Sequence, residues 1–298
     1  MTYRTADAIQ RDAARGAVIP QQLQPNAASQ TRHSLQNFAD TALKGVAGFW
    51  FLVAVIGQLM FASYVFIFYG GSAVQGNWAV WNKVMPHGYV PGDTMGNSAI
   101  ALHLLLAVYI TIGGAIQLVP RIRDRAPSFH RWNGRIYIPT AFVMSIGGLY
   151  LVWVRGSVGD LSQHIAISLN AVLIMLCAVM TLRSALAYEL DVHRRWALRL
   201  FLVVSGVWFF RVGLMLWILI NGGPVGFDPK TFTGPALTII AFGQYLLPLA
   251  VLELYLGARE RGGTSARLVM AAGLFMLTIA MGVGIFGAAI GLWLHHIY

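Results

Sequence analysis

Seven stretches of this chain run apolar for about 20 residues or more: roughly 46–70, 97–119, 134–154, 163–187, 199–221, 235–258 and 267–294. A helix needs about 20 such residues to cross the ~30 Å hydrocarbon core of a bilayer. In lipid the backbone must satisfy its own hydrogen bonds, which an α-helix does within one segment. The runs therefore predict an all-α integral membrane protein with seven transmembrane helices. Composition agrees, since 57% of the 298 residues are hydrophobic and 11% charged, against about 25% charged in soluble domains.

The formal charge of +10 is distributed by side. Seventeen Lys and Arg fall in the N-terminal segment and in the loops around Arg121–Arg135, Arg183–Arg199 and Arg259–Arg267, whereas Lys83, Arg155 and Lys230 alone fall opposite. That asymmetry predicts a cytoplasmic N-terminus and a C-terminus outside. It accounts for the charge without a nucleic-acid partner. Residues 1–44 are polar and show no apolar h-region, which predicts a flexible cytoplasmic tail and no signal peptide; 45–298 form the transmembrane domain. One cysteine, Cys177, excludes a disulfide or Cys-ligated cluster within the chain. The first outer loop, about 71–96, carries Trp78, Trp81, Pro86, Tyr89 and Pro91, and it is expected to fold back over the bundle as a lid.

Histidines mark an internal repeat. His103 lies inside the second span near its outer end, and His164 at the outer start of the fourth. His130 (in SFHRWNGRIY) and His193 (in VHRRWALRLF) stand at the inner entrances of the third and fifth. His103 to His164 is 61 residues and His130 to His193 is 63. Spans two and three (97–155) and spans four and five (160–221) thus read as two copies of one hairpin, giving a pseudo-repeated four-helix core.

At helical spacing His103 shares a stripe with Ala107, Ile110, Gly114 and Gln117; His164 with Ser168, Ala171, Met175 and Ala178; and His130 with Gly134, Tyr137, Ala141, Ser145 and Gly148. Stripes of small residues face a bundle interior. His193 lines up with the bulkier Val204, Trp208 and Arg211.

Two imidazoles from opposing helices at one depth are what a low-spin b-type haem needs. His103 with His164, and His130 with His193, would form an outer and an inner pair near opposite surfaces. The inner clusters read equally as interfacial anchors, with Arg and His on lipid phosphates and Trp at the headgroups. Arg211 lies in the fifth span with no acidic residue at its depth; a haem propionate, an anionic substrate, or water and carbonyls would balance it. Pro139 and Pro248 are expected to kink the third and sixth spans, while Gly113–Gly114 and Gly147–Gly148 mark close helix contacts.

The segment HLLLAVYITIGGAIQLVPRIRDRAPSFHRWNGRIYI, with the later HRRW-x-x-R, resembles a family of bacterial multi-pass membrane proteins of unknown function over about residues 85–215. The resemblance implies a bacterial inner membrane and supplies no activity. In architecture the chain is similar to the ascorbate-dependent dihaem b-type transmembrane cytochromes. Those place one histidine on each of four consecutive helices and pair alternate helices around each haem. The inner histidines here depart from that pattern by lying at the helix feet.

Two functions follow as expectations. The first is a transmembrane electron carrier or oxidoreductase holding one or two haem b groups, tuned by Arg211 and fed by a small donor or quinol. The second is a haem-free binding or transport protein, or a complex subunit, with an outer pocket of His103, His164 and Arg211. No nucleotide-binding loop or Ser/His/Asp arrangement is present, which argues against soluble-type catalysis.

Overall fold

The computed structural model describes residues 27–156 and 159–296. Helix α1 spans Ala27–Tyr64, α2 Thr94–Leu118, α3 Pro127–Tyr150 and α4 Leu161–Leu186. The fifth span is two helices, α5 (Leu190–Val204) and α6 (Gly206–Asn221), followed by α7 (Pro235–Arg261) and α8 (Thr264–Ala288). Among the described residues six helices are long and apolar enough to cross a membrane, and seven if the bent α5–α6 pair is counted as one span. Among the described residues no strand occurs, only an isolated bridge between Asp228 and Thr233.

Local chemistry sets the boundaries. Pro120 bars Val119 from the helical region, and α2 ends at Leu118. Pro127 and Pro235 open α3 and α7, where the first turn has no use for their missing N–H. Gly222 closes α6 in the left-handed conformation at φ 69°. The aspartate of each outer loop is a cap or turn residue: Asp93 accepts from the Gly96 amide, Asp160 from Gln163 and Asp228 from Lys230. The Ser162 hydroxyl, then the Gln163 amide, hold the Asp160 carboxyl below the usual carboxylate range. A carboxyl lowered on folding contributes its stability above the unfolded value of about 4 and loses it as pH falls through the lowered one. The cap is therefore formed at neutral pH.

Helices α2, α3, α4 and α5 close a ring in which each packs on the next and α5 returns to α2, so α2 and α4 are diagonal, as are α3 and α5. Ile110, Tyr137, Ala141, Cys177, Leu200 and Val203 fill its middle. The small-residue stripes do face inward: Gly114 is where the Tyr137 hydroxyl packs, and Asn133 donates to the Gly113 carbonyl at 3.0 Å. Helix α1 lies against α2 and α8, and α8 against α6. At the arginine-rich end, Arg199–Glu253, Arg195–Glu260 and Arg267–Asp40 tie neighbouring helices together.

Two expectations need correction. Residues 27–44 belong to α1, so only 1–26 of the expected tail lie outside the described residues. Helices α3 and α7 run on through Pro139 and Pro248, and a bend of 54° separates α5 from α6 in the fifth span. Its cause is local. The Ser205 hydroxyl bonds back to the Phe201 carbonyl at 2.7 Å, which bends helices, and Gly206 follows with poor helix propensity. The bend also places His193 and Arg211 on different helices, so they share no stripe.

The outer loop does fold back. Trp81 is 2% exposed and its indole donates to the Tyr69 carbonyl and the Ser72 hydroxyl at 3.1 and 2.9 Å. Arg155, from the π-helical end of the third span, donates to the His87 carbonyl and to Asn97 Oδ1 and pairs with Asp93.

Candidate functional site

Polar side chains from three helices converge on the break at Ser205–Gly206. From α1, Gln58 Nε2 donates to Ser205 Oγ at 2.9 Å. From α4, Asn170 Nδ2 donates to the Val203 carbonyl at 3.2 Å; it lies 2.7 Å from where a Cβ on Gly206 would stand. From α7, Gln244 approaches the same point. A helix broken at mid-membrane leaves carbonyls that must be paired, and this cluster pairs one of them.

Beside the break lies a cavity of about 70 Å³, whose polar walls are Gln58, His103, Thr111, Ser205 and Trp208, with Phe61 and Met144 among the apolar ones; the Thr111 hydroxyl is committed to the Ala107 carbonyl at 2.7 Å. Gln58 is 1% and Trp208 2% exposed. Gln58 Oε1, Trp208 Nε1 and His103 Nδ1 are buried with no hydrogen-bond partner. Leaving such an atom unpaired costs about 1–3 kcal/mol, so each calls for a partner such as an ordered water or a ligand.

Arg211 stands one ring away. Its guanidinium lies 5.2 Å from the centre of the Phe61 ring, and Nη1 donates to the Val207 carbonyl at 3.1 Å. It also interacts electrostatically with Tyr64 and Tyr69. The charge is thus dispersed over aromatics of the first span, not met by Gln244 or Tyr245. Glu253 is engaged elsewhere, accepting both Nε and Nη2 of Arg199 at 2.7 and 3.0 Å.

The histidines divide. His103 lays its Nδ1–Cε1 edge 3.8 Å from the Cβ positions of Gly147 and Gly148 on α3. His164 instead meets the Trp153 ring edge-on, 5.8 Å between centroids. Trp153 lies five or six residues beyond that glycine pair, about 8 Å further along at 1.5 Å per residue and on another flank. The expected outer pair, His103 with His164, thus keeps different neighbours, Gly147 and Gly148 for the first and Trp153 for the second.

The inner pair is brought together. His130 and His193 come within electrostatic reach of each other from the diagonal helices α3 and α5. His193 Nδ1 lies 3.0 Å from the Thr181 carbonyl, so Nδ1 carries the proton and Nε2 keeps its lone pair. That donor set fits axial imidazole ligation. Among the described residues no group of three or more His, Cys, Asp or Glu gathers to hold a metal ion.

The sequence reading singled out His103 and Arg211 but passed over Gln58, Ser205 and Trp208. A signal was present. Gln58 is the single amide in the first apolar run, and Ser205–Gly206 is a breaker pair inside the fifth.

No curated protein and no solved structure matches the chain. Residues 100–256, more than half the chain, match the family described as predicted membrane protein (DUF2306). The match covers the four-helix ring with His103, His130, His164 and His193, and α6 with Arg211. The chain is a member of this membrane protein family.

Proposed function

We propose that the protein is a haem-free membrane binding and transport protein that takes a small ligand into the chamber beside Ser205 and passes it across the bilayer. One observation carries this reading: Gln58, His103 and Trp208, each with a buried unpaired polar atom, line one cavity at the break between α5 and α6. Discontinuous helices place sites near the bilayer midplane in transporters because the broken backbone both binds and bends. Here Ser205 is the hinge, and Asn170 and Gln58 hold its two sides. The basic asymmetry supports the arginine-rich end as cytoplasmic, and the resemblance supports a bacterial inner membrane.

A second reading rests on His130 and His193: one b-type haem at the inner foot of the ring, serving electron transfer with a quinol or small donor. When bound, such a group would supply one-electron chemistry. His130 and His193 would hold it, with Thr181 fixing the tautomer of the second.

Pyridine haemochrome analysis of protein purified from haem-replete cells tests both. The chamber reading expects no haem on the wild-type chain. Haem present on the wild type and lost on His103→Leu would overturn it. One haem per chain, lost on His193→Leu, is the result the second reading expects.

A further inference from the structure

Resting on the chamber reading, we infer that the ligand is a small neutral solute carrying both a hydrogen-bond donor and an acceptor, with the dimensions of a primary amide or of a pair of waters. The polar inventory of the walls leads there. Gln58 Nε2 is committed to Ser205 Oγ, and Ser205 in turn donates to Phe201, so the amide orientation is fixed. Gln58 Oε1 remains as an acceptor. Trp208 Nε1 remains as a donor and has no other capability. His103 has no carboxylate partner, and a buried imidazole without one is accommodated as the neutral ring, which offers one donor and one acceptor.

An anion would meet Gln58 Oε1, another acceptor. A cation would meet the Trp208 N–H, with Arg211 one ring away beyond Phe61. A neutral solute with both kinds of group satisfies Gln58 and Trp208 together. The size follows from the cavity: about 70 Å³ is less than half the ~150 Å³ that admits benzene, room for a pair of waters, an amide or urea and too small for an aromatic ring.

The test is stopped-flow light scattering on proteoliposomes holding the full chain, with gradients of formamide, urea or an impermeant osmolyte, and electrode recordings with chloride and methylammonium. Trp208→Phe removes the indole donor together with part of the ring. Gln58→Met removes the amide at nearly constant volume. Circular dichroism and size-exclusion profiles establish that each variant folds.

The expected result is formamide or urea flux above protein-free vesicles that falls about tenfold in each variant, the loss of one or two hydrogen bonds. Flux of water alone with the same sensitivity supports the class and assigns it to water. Chloride or methylammonium flux that falls in the variants overturns the inference and leaves the chamber as a transport site. No flux of any probe, or neutral flux indifferent to both substitutions, overturns the inference and the chamber reading together.

Discussion

Trp81→Ala is expected to lower the stability of the folded chain by about 3–5 kcal/mol, the cost of truncating a buried tryptophan, read as a fall in the thermal midpoint in detergent. Trp81 is the plug that fixes the outer loop. Its ring meets Tyr69 and Trp78 edge-on at 5.8 and 5.0 Å, and its N–H holds the Tyr69 carbonyl. Removing it opens a void in the cluster that joins α1, α2, α6 and the π-helical end of the last span. Tyr69 is also one of the two phenols that interact with Arg211, so the variant loosens the aromatic wall between the outer face and the chamber. Trp78, only partly buried in the same cluster, should cost less when truncated. Equal losses would mean that the loop is held mainly by its Arg155 contacts.

Gly284→Val has a comparable expected effect for a different reason. A Cβ on Gly284 of α8 would stand 2.5 Å from the Val212 carbonyl oxygen of α6 and 2.8 Å from Val212 Cγ1. A backbone atom cannot swing aside as a side-chain end does, so α8 must move off α6. Overpacking of this kind costs about 1–3 kcal/mol or more. The displacement would draw α6, and Trp208 with it, away from α1. Two residues earlier, a Cβ on Gly282 meets nothing within 4 Å. Gly282→Ala should be neutral, or stabilising by up to about 1 kcal/mol through helix propensity. Thermal midpoints of the two variants check the contrast; equal effects would remove the close contact as the explanation.

Much of the fold was legible because it depends on local pattern. Runs of about 20 apolar residues specify spans, and the stripes through His103, His130 and His164 pointed inward as small-residue faces do. Gly113 and Gly114 proved to be a packing surface for Asn133 and Tyr137. The aspartates of the outer loops work as caps and turn residues, a role that position just before a helix signals for Asp93 and Asp160.

The site was less legible, for physical reasons. A hydropathy window registers side-chain polarity and is blind to a backbone bend, so Ser205–Gly206 passed as part of one straight helix. Gln58 and Ser205 are 147 residues apart, and no periodicity within either span says that they meet. The same holds for Arg211, whose partners Phe61, Tyr64 and Tyr69 lie on the first span. Equal histidine spacing suggested equal pairing, but spacing fixes depth to within a turn and says nothing of the flank. His103 meets Gly147 and Gly148, whereas His164 meets Trp153.

Solvent exchange of the Trp208 indole proton tests the chamber most directly. Protein with ¹⁵N-labelled tryptophan is moved into deuterated buffer, Trp208→Phe assigns the resonance, and its decay is compared with that of Trp81. Both side chains are 2% exposed, but the Trp81 N–H is hydrogen-bonded within the fold and the Trp208 N–H is unpaired. A chamber that admits a ligand admits water, so the Trp208 signal should vanish orders of magnitude sooner than that of Trp81. A Trp208 proton retained as long as the Trp81 proton would contradict the account: the cavity would be sealed, and its unpaired atoms would serve no passing ligand.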